Sequence, residues 1–374
     1  MSEVAFVPLR KVVMCFDGTG NEISKPHTNV YRIFRATDQP GVLRFYHPGV
    51  NTLVDEAKLY KGVKIRSWII DSMTGASMRI AFIEGYKFLI NNVQDGDDIY
   101  FFGFSRGSYA ARMVAGAVKM FGIPRPEHAC LVPFIWQAYI GAALRPSKDE
   151  NTFQYAARIK RDFSREVTFR MRFMGVWDTV SSFGFISAFK AVPFTRENPD
   201  ISVVRHAVAV DERRSVFSIN EVETKSKDKD KDQIPDQDVE QVWFSGCHCD
   251  VGGGHTLEES GLSMIPYRWM LDEVKKHGLT FNQKVLDEQF EPFSKSKKGC
   301  EPDHMGKLHE SMDAMYGFIE MLPLRKFDFD SRGWKWQWPN WFRRRTIDPG
   351  DTIHESVTDR MNDDSTYRPK NVKL

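Results

Sequence analysis

The stretch Ile99-Tyr100-Phe101-Phe102-Gly103-Phe104-Ser105-Arg106-Gly107-Ser108-Tyr109-Ala110-Ala111-Arg112 runs from β-forming aromatics, through a serine between two glycines, into small helix-forming residues. It reads as strand, sharp turn and helix. A serine held in such a turn stands at the end of its strand, and the helix that starts at once points its amides and positive dipole end toward it. A bare G-x-S-x-G arises by chance in a chain of this length. The strand before Ser105 and the alanine-rich helix after it make this serine a candidate nucleophile. The bland alternative is a tight strand-to-helix turn without chemistry.

Other apolar runs extend the pattern on both sides. Lys11 to Phe16 (KVVMCF) reads as a buried parallel strand that stops at Asp17-Gly18-Thr19-Gly20-Asn21, and Val42 to Tyr46 reads as a second strand. Met78, Phe82, Tyr86 and Leu89 recur at helical spacing over 76–90. Val167 to Val176 and Val239 to Cys247 read as further strands, His206 to Val210 as a short strand or helix, and Leu262 to His277 as a helix. Alternating strands and helices imply an α/β fold, a mostly parallel sheet with helices on both faces. The expected organisation is a single α/β-hydrolase domain over residues 1–374, with cap-like insertions near 123–165, 183–203 and 278–350. The charged run Lys225 to Asp238 reads as a solvated loop.

Serine needs a general base, and in this fold the chain order is serine, acid, histidine. Two aspartates follow strands in the right half of the chain, Asp178 in GVWDTV and Asp250 in CHCDVGGG. Open α/β sheets place their sites at these carboxyl ends. Asp250 is preferred because it follows the later strand, and Asp178 is kept as the alternative. With Asp250 as the acid, His255 follows too closely for a base on a separate loop. His354, in a polar loop about to enter a helix, is the expected base. The expected oxyanion donors are the backbone N–H of Arg106 and one from Gly18 or Thr19.

The loop Asp17-Gly18-Thr19-Gly20-Asn21 invites a nucleotide reading but lacks both the Gly-Lys-Ser/Thr of a phosphate loop and the third glycine of G-x-G-x-x-G. Cys247-His248-Cys249-Asp250 with His255 invites a metal reading. Placed on a strand, Cys247 and Cys249 would point one way and His248 and Asp250 the other, which argues against a tetrahedral thiolate centre. No cofactor and no metal are expected.

Bulk composition narrows the partners. The chain has 374 residues, 41% hydrophobic and 27% charged, enough for a large core. Its 52 basic and 50 acidic residues leave a net charge of +2, which argues against nucleic acid as a partner. Five cysteines without a C-x-x-C pair fit a reducing compartment better than a disulfide framework. The absence of a leader-like or membrane-spanning apolar run leads to the expectation of a soluble, cytoplasmic protein.

The blocks KVVMCFDGTGN, DDIYFFGFSRGSYAAR, GVWDTV, HAVAVDERR, VWFSGCHCDVGGG and TIHESV, in this order, resemble the α/β-hydrolase domain of type VI secretion phospholipase effector-like proteins. The resemblance runs from about residue 11 to about residue 361. It implies a Ser-Asp-His triad, ester hydrolysis through an acyl-enzyme, and lipid or phospholipid as the substrate class, with peripheral membrane contact. The tryptophans at 334, 336, 338 and 341 suit a lipid interface or the packing of a cap segment. A non-catalytic binding or scaffold module on the same fold is the other reading.

Overall fold

The computed structural model describes residues 10–18, 27–49, 76–144, 150–180, 192–214, 217, 219–222, 237–294, 299–312, 324–328, 333–337 and 343–372. Along the chain the elements are β1 (Lys11–Phe16), α1 (Asn29–Ala36), β2 (Val42–His47), α2 (Ala76–Asn92), β3 (Asp97–Phe104), α3 (Arg106–Phe121), a 3-10 turn (Pro126–Leu131), α4 (Val132–Leu144), α5 (Glu150–Phe163), β4 (Phe169–Trp177), β5 (Ile201–Ala209), β6 (Asp238–Phe244), α6 (His248–Gly252), α7 (Gly261–Lys276), α8 (Gln283–Gln289), β7 (Leu324–Asp328), β8 (Gly333–Gln337), β9 (Thr352–Ile353) and α9 (Glu355–Asp363).

Seven strands form one sheet in the order β2-β1-β3-β4-β5-β6-β9, and every pairing in it is parallel. The central strands are apolar on both faces because both faces are covered. Val12, Met14, Phe16, Ile99 and Phe101 pack into a core with α2, α3, α4 and α5. Val13, Cys15, Tyr100, Phe102 and Phe104 pack on the opposite face with α1, α7 and α8. Helix α3 is buried on every side except at Lys119, as expected of a helix at the centre of an α/β layer. This is an α/β architecture, a parallel sheet covered by helices on both faces.

One stretch differs from the sequence reading. Strand β5 begins at Ile201, inside the stretch expected to be a loop over 183–203; residues 181–191 lie outside the described residues. Arg205 and His206 interrupt its apolar run, yet both are buried and partnered. Arg205 Nε donates to Glu273 Oε2 (2.7 Å), and His206 lies 2.9 Å from Gln241 Oε1. The stretch 278–350 contains α8 and the antiparallel hairpin β7–β8, with Trp336 exposed on β8 and Trp338 and Trp341 outside the described residues. Over 123–165, Ile135, Trp136, Tyr139, Ala156 and Ile159 of α4 and α5 enter the core that holds α3.

The two glycines around Ser105 have steric reasons to be glycine. A Cβ on Gly107 would sit 2.2 Å from the Phe16 carbonyl oxygen and 2.4 Å from that of Asp17. On Gly103 it would sit 2.4 Å from the Ser108 Cα. The first turn of α3 therefore lies directly on the backbone at the end of β1, and backbone cannot step aside as a side chain can. Gly107→Ala is expected to lower stability by about 3 kcal/mol, the upper range for overpacking. Denaturant unfolding measures this, and a variant within about 0.5 kcal/mol of the parent, the ordinary range for neutral substitutions, would contradict the close approach.

Candidate active site

Strand β3 ends at Phe104, and Ser105 follows it at φ 57° and ψ −126°, before α3 begins at Arg106. A non-glycine residue held there costs on the order of 1–3 kcal/mol, so its surroundings must hold it. They do so through β4. Ser105 N–H donates to the Trp177 carbonyl (3.0 Å), and Ser108 Oγ donates to the same oxygen (3.1 Å).

Asp178 follows the end of β4 as Ser105 follows β3, and its φ is also positive, at 39°. Its N–H donates to the Ala207 carbonyl (2.7 Å), and its Oδ1 accepts from the Ala209 N–H (3.0 Å), both on β5. Its Oδ2 lies 2.5 Å from Nδ1 of His248, the first residue of α6. His248 Nε2 lies 2.8 Å from Ser105 Oγ. Ser105, His248 and Asp178 thus form one continuous hydrogen-bonded line, and all three are buried.

The imidazole is held on several sides. The Phe104 ring lies against it at 4.6 Å between centroids, and Phe217 meets it nearly edge-on at 4.9 Å. Arg214 stacks over Phe217 at 3.7 Å. Gly252 lets α6 settle onto Phe104, where a Cβ would meet the ring at 1.9 Å. Glu212, almost fully buried, accepts from the His248 backbone N–H (3.3 Å) and from the Arg214 guanidinium (2.7 Å).

Electrostatics separate the two ionisable partners. Burial alone would raise the Asp178 carboxyl, but the charge of Arg345 and the bond from His248 overcome it and hold the group far below the usual carboxylate range. Burial lowers His248, only partly offset by its bond to Asp178, so it is a neutral imidazole at neutral pH. A neutral histidine with Nδ1–H directed at a carboxylate leaves Nε2 as an acceptor toward the serine. Nearby, burial pushes His206 down to about 3. It is a neutral support whose Nε2 accepts from the Thr179 N–H (3.1 Å).

The expected grouping of Ser105 with Asp250 and His354 is not the one the structure makes. His354 is the N-cap of α9: its Nδ1 accepts from the Ser356 N–H (3.2 Å), and its ring stacks on Phe244 at 4.6 Å. Asp250 Oδ1 pairs with His309 Nδ1 (2.6 Å), and its Oδ2 accepts from the Cys247 N–H (3.0 Å). Gly18 N–H is taken up by Asp17 Oδ1 (2.7 Å), and Thr19 lies outside the described residues. Arg106 is the first residue of α3, at the positive end of its dipole. The strand alternation expected at 247–250 is absent, because β6 ends at Phe244 and 248–252 are helical. Cys247 and Asp250 are therefore the N-cap and N3 residues of α6 and face each other in a capping box.

Sequence reading missed His248 as a partner of Ser105 for one reason: with Asp250 taken as the acid, a histidine before it violates the expected chain order. With Asp178 as the acid, the order Ser105, Asp178, His248 is regular. Arg345 was missed as well. Its Nη1 donates to Asp178 Oδ1 (2.5 Å) and its Nη2 to Asp178 Oδ2 (3.1 Å), a bidentate pair. Nη2 also donates to the Phe217 carbonyl (2.6 Å). The only signal in the sequence was Arg343-Arg344-Arg345, a basic triplet after an aromatic stretch. Removing one partner of a buried pair strands the other charge. Arg345→Met is expected to cost about 3–5 kcal/mol, read by urea unfolding near neutral pH. Asp178 is held below its unfolded value, so its contribution is present above pH ~4 and fades as pH falls below it. The gap between parent and variant therefore narrows in acid, and a gap that widens there would contradict the pairing.

The chain as a whole is similar to known proteins in sequence and in structure. Residues 10–273, well over half of the chain, match the family described as type VI secretion phospholipase effector Tle1-like, catalytic domain. The uncharacterized protein YEL023C of Saccharomyces cerevisiae is 29% identical over 218 residues, which cover 56% of this chain and 32% of that protein. This chain therefore spans about a third of that relative's length. Among solved structures, an uncharacterized protein from Pseudomonas aeruginosa aligns with TM-score 0.42 and 17% identity, over 73% of this chain and 46% of that one. The Tle1 effector bound to the VgrG spike of the type 6 secretion system aligns with TM-score 0.31 and 19% identity, over 68% of this chain and 53% of that one. On the family match, the chain belongs to the Tle1-like phospholipase effector catalytic domain family.

Proposed function

We propose that the protein is a serine hydrolase that cleaves carboxylic esters, with lipid or phospholipid acyl esters as its substrates. The observation that carries this reading is His248, which bonds Ser105 Oγ through Nε2 and Asp178 through Nδ1. Ser105 Oγ attacks the acyl carbonyl carbon while His248 Nε2 takes its proton. Asp178 keeps the tautomer that leaves Nε2 free to accept, and it stabilises the imidazolium that forms. The Arg106 N–H, at the start of α3, faces the developing oxyanion. The C–O bond to the alcohol then breaks, and His248 returns the proton to the leaving oxygen. Water, deprotonated by the same imidazole, cleaves the acyl-enzyme and regenerates Ser105.

Family membership supports the lipid substrate. Exposed Phe134, Phe153 and Trp336 offer apolar surface to a lipid interface. No helix among the described residues is long and apolar enough to cross a membrane.

A fluorophosphonate probe tests the chemistry. The wild type is expected to label at Ser105, Ser105→Ala to lose the label, and His354→Gln to keep it. Asp178→Asn is expected to lower kcat by about 10⁴-fold, the scale found when a triad aspartate is neutralised. A folded wild type that does not label, or a label that survives Ser105→Ala, would sink the reading. A panel of p-nitrophenyl esters beside phospholipid vesicles then ranks the substrates.

The pH profile follows from His248. Activity requires the neutral imidazole, and burial depresses its proton affinity. The acid limb of kcat/KM is therefore expected to have its midpoint below ~6.5, the ordinary histidine value. A midpoint above that value would show that His248 is not the titrating base, or that Asp178 outweighs its burial.

A further inference from the structure

The α6 turn that carries His248 holds a second cluster of ionisable side chains, which the ester chemistry does not use. Cys247, Asp250 and His255 each offer one ligand atom, and the three atoms lie within 4.8 Å of one another. We propose that Cys247, Asp250 and His255 form a zinc site that clamps this turn, with His309 orienting Asp250 from behind.

One edge of the cluster already has the spacing of a single ion. His255 Nε2 lies 3.4 Å from Asp250 Oδ1. Two ligands about 2.0–2.1 Å from a tetrahedral zinc stand about 3.4 Å apart. At that separation Nε2 stands in ion-pair range of the carboxylate and, among the described residues, has no hydrogen-bond partner of normal geometry. A metal ion between the two atoms would serve both at once.

The surroundings resemble those of a held ligand set. Asp250 Oδ2 is fixed by the Cys247 N–H (3.0 Å) and the His309 N–H (3.2 Å). Asp250 Oδ1 lies 2.6 Å from His309 Nδ1, and His309 Nε2 lies 3.3 Å from Glu259 Oε2. The His309 ring stacks on His255 at 3.6 Å and 9°, which fixes the plane of the ligand imidazole. A carboxylate that binds metal and accepts from a second-layer group is the usual way ligand orientation is set. The Cys247 thiol is raised by burial, so binding would release its proton to solvent and leave a thiolate on the ion.

The donor set selects the metal class. One thiolate, one imidazole and one carboxylate suit zinc or cobalt, while calcium and magnesium prefer all-oxygen shells. Three protein ligands leave the fourth position to water. The ion would join the N-cap and N3 residues of α6 to the loop at 255, and so bracket His248 in the chain. The site does not depend on the hydrolase reading; only an effect on turnover would.

The test uses the full chain, stripped with a chelator and titrated with zinc chloride or cobalt chloride. One equivalent of zinc is expected to bind and raise the melting temperature, and cobalt is expected to give thiolate-to-metal charge-transfer absorption. Cys247→Ser should abolish that absorption, while Cys130→Ser, at an exposed thiol, should leave it. His255→Ala should lose zinc binding, and because its Nε2 has no hydrogen-bond partner of normal geometry among the described residues this variant is expected to fold like the parent. His309→Ala should weaken binding about 10–100-fold, the range for a second-layer partner. No zinc uptake, zinc affinity unchanged in a folded His255→Ala, or a cobalt band that survives Cys247→Ser and vanishes in Cys249→Ser would each overturn the site.

Discussion

The buried negative charge on Asp178 is the constraint on which the rest of the site depends. A carboxylate with no exposed surface is stable only where donors surround it. Its donors come from three distant parts of the chain: the Ala209 N–H at the end of β5, His248 at the start of α6, and Arg345 in the C-terminal segment. Satisfying one charge therefore fixes three elements in place. The guanidinium bonds both oxygens: Oδ1 takes Arg345 Nη1 and the β5 N–H, while Oδ2 takes Arg345 Nη2 and the short contact with the imidazole.

Sheet geometry explains why Ser105 and Asp178 meet. Phe104 and Trp177 are the last register partners of β3 and β4, so the two residues that follow them leave the sheet side by side. Both take positive φ, and each is fastened to the next strand along. Ser105 bonds the end of β4, and Asp178 bonds β5. Strain at either residue is thus held by neighbouring strands whose ends at Trp177, Ala207 and Ala209 are buried, not by the turn alone. The same logic reaches α6, where Phe104 supports the imidazole face and Gly252 removes the Cβ that would hold the helix away.

Much of this was legible in the residues. Continuous apolar runs marked β1 and β3, and the small residues around Ser105 marked the elbow, because buried parallel strands and tight backbone approach leave little choice of side chain. The two candidate aspartates were also legible, since both follow strand ends. What could not be read was which of the two, both buried, joins the hydrogen-bonded line to Ser105. That depends on Arg345, 167 positions away, and on the switch from strand to helix after Phe244. Continued as a strand, CHCD pointed Cys247 and Asp250 apart. As a helix N-terminus it joins them in a capping box and turns His248 to Ser105. Strand β5 was read only in part, as a short strand or helix over His206 to Val210, because Arg205 and His206 look like surface residues until their partners are known.

The C-terminal segment has a further structural consequence. The family match ends at residue 273, yet two buried acids within it are neutralised from beyond that point. Asp178 takes Arg345, and Asp211 takes Arg344 Nε (3.1 Å) and the Tyr367 hydroxyl (2.7 Å). Asn371 Nδ2 then donates to the Arg345 carbonyl (3.0 Å), which secures the arginine from its own side. Val357 and Tyr367 pack with Val208, Val210 and Trp243, so the segment is anchored by apolar burial as well as by charge. Lifting it away would expose that cluster and leave two carboxylates in a low-dielectric environment with too few donors. Each of those costs exceeds a surface contact by severalfold. The described residues 343–372 therefore pack against the sheet by charge and by apolar burial, and the geometry at Ser105 draws on residues beyond the matched range 10–273.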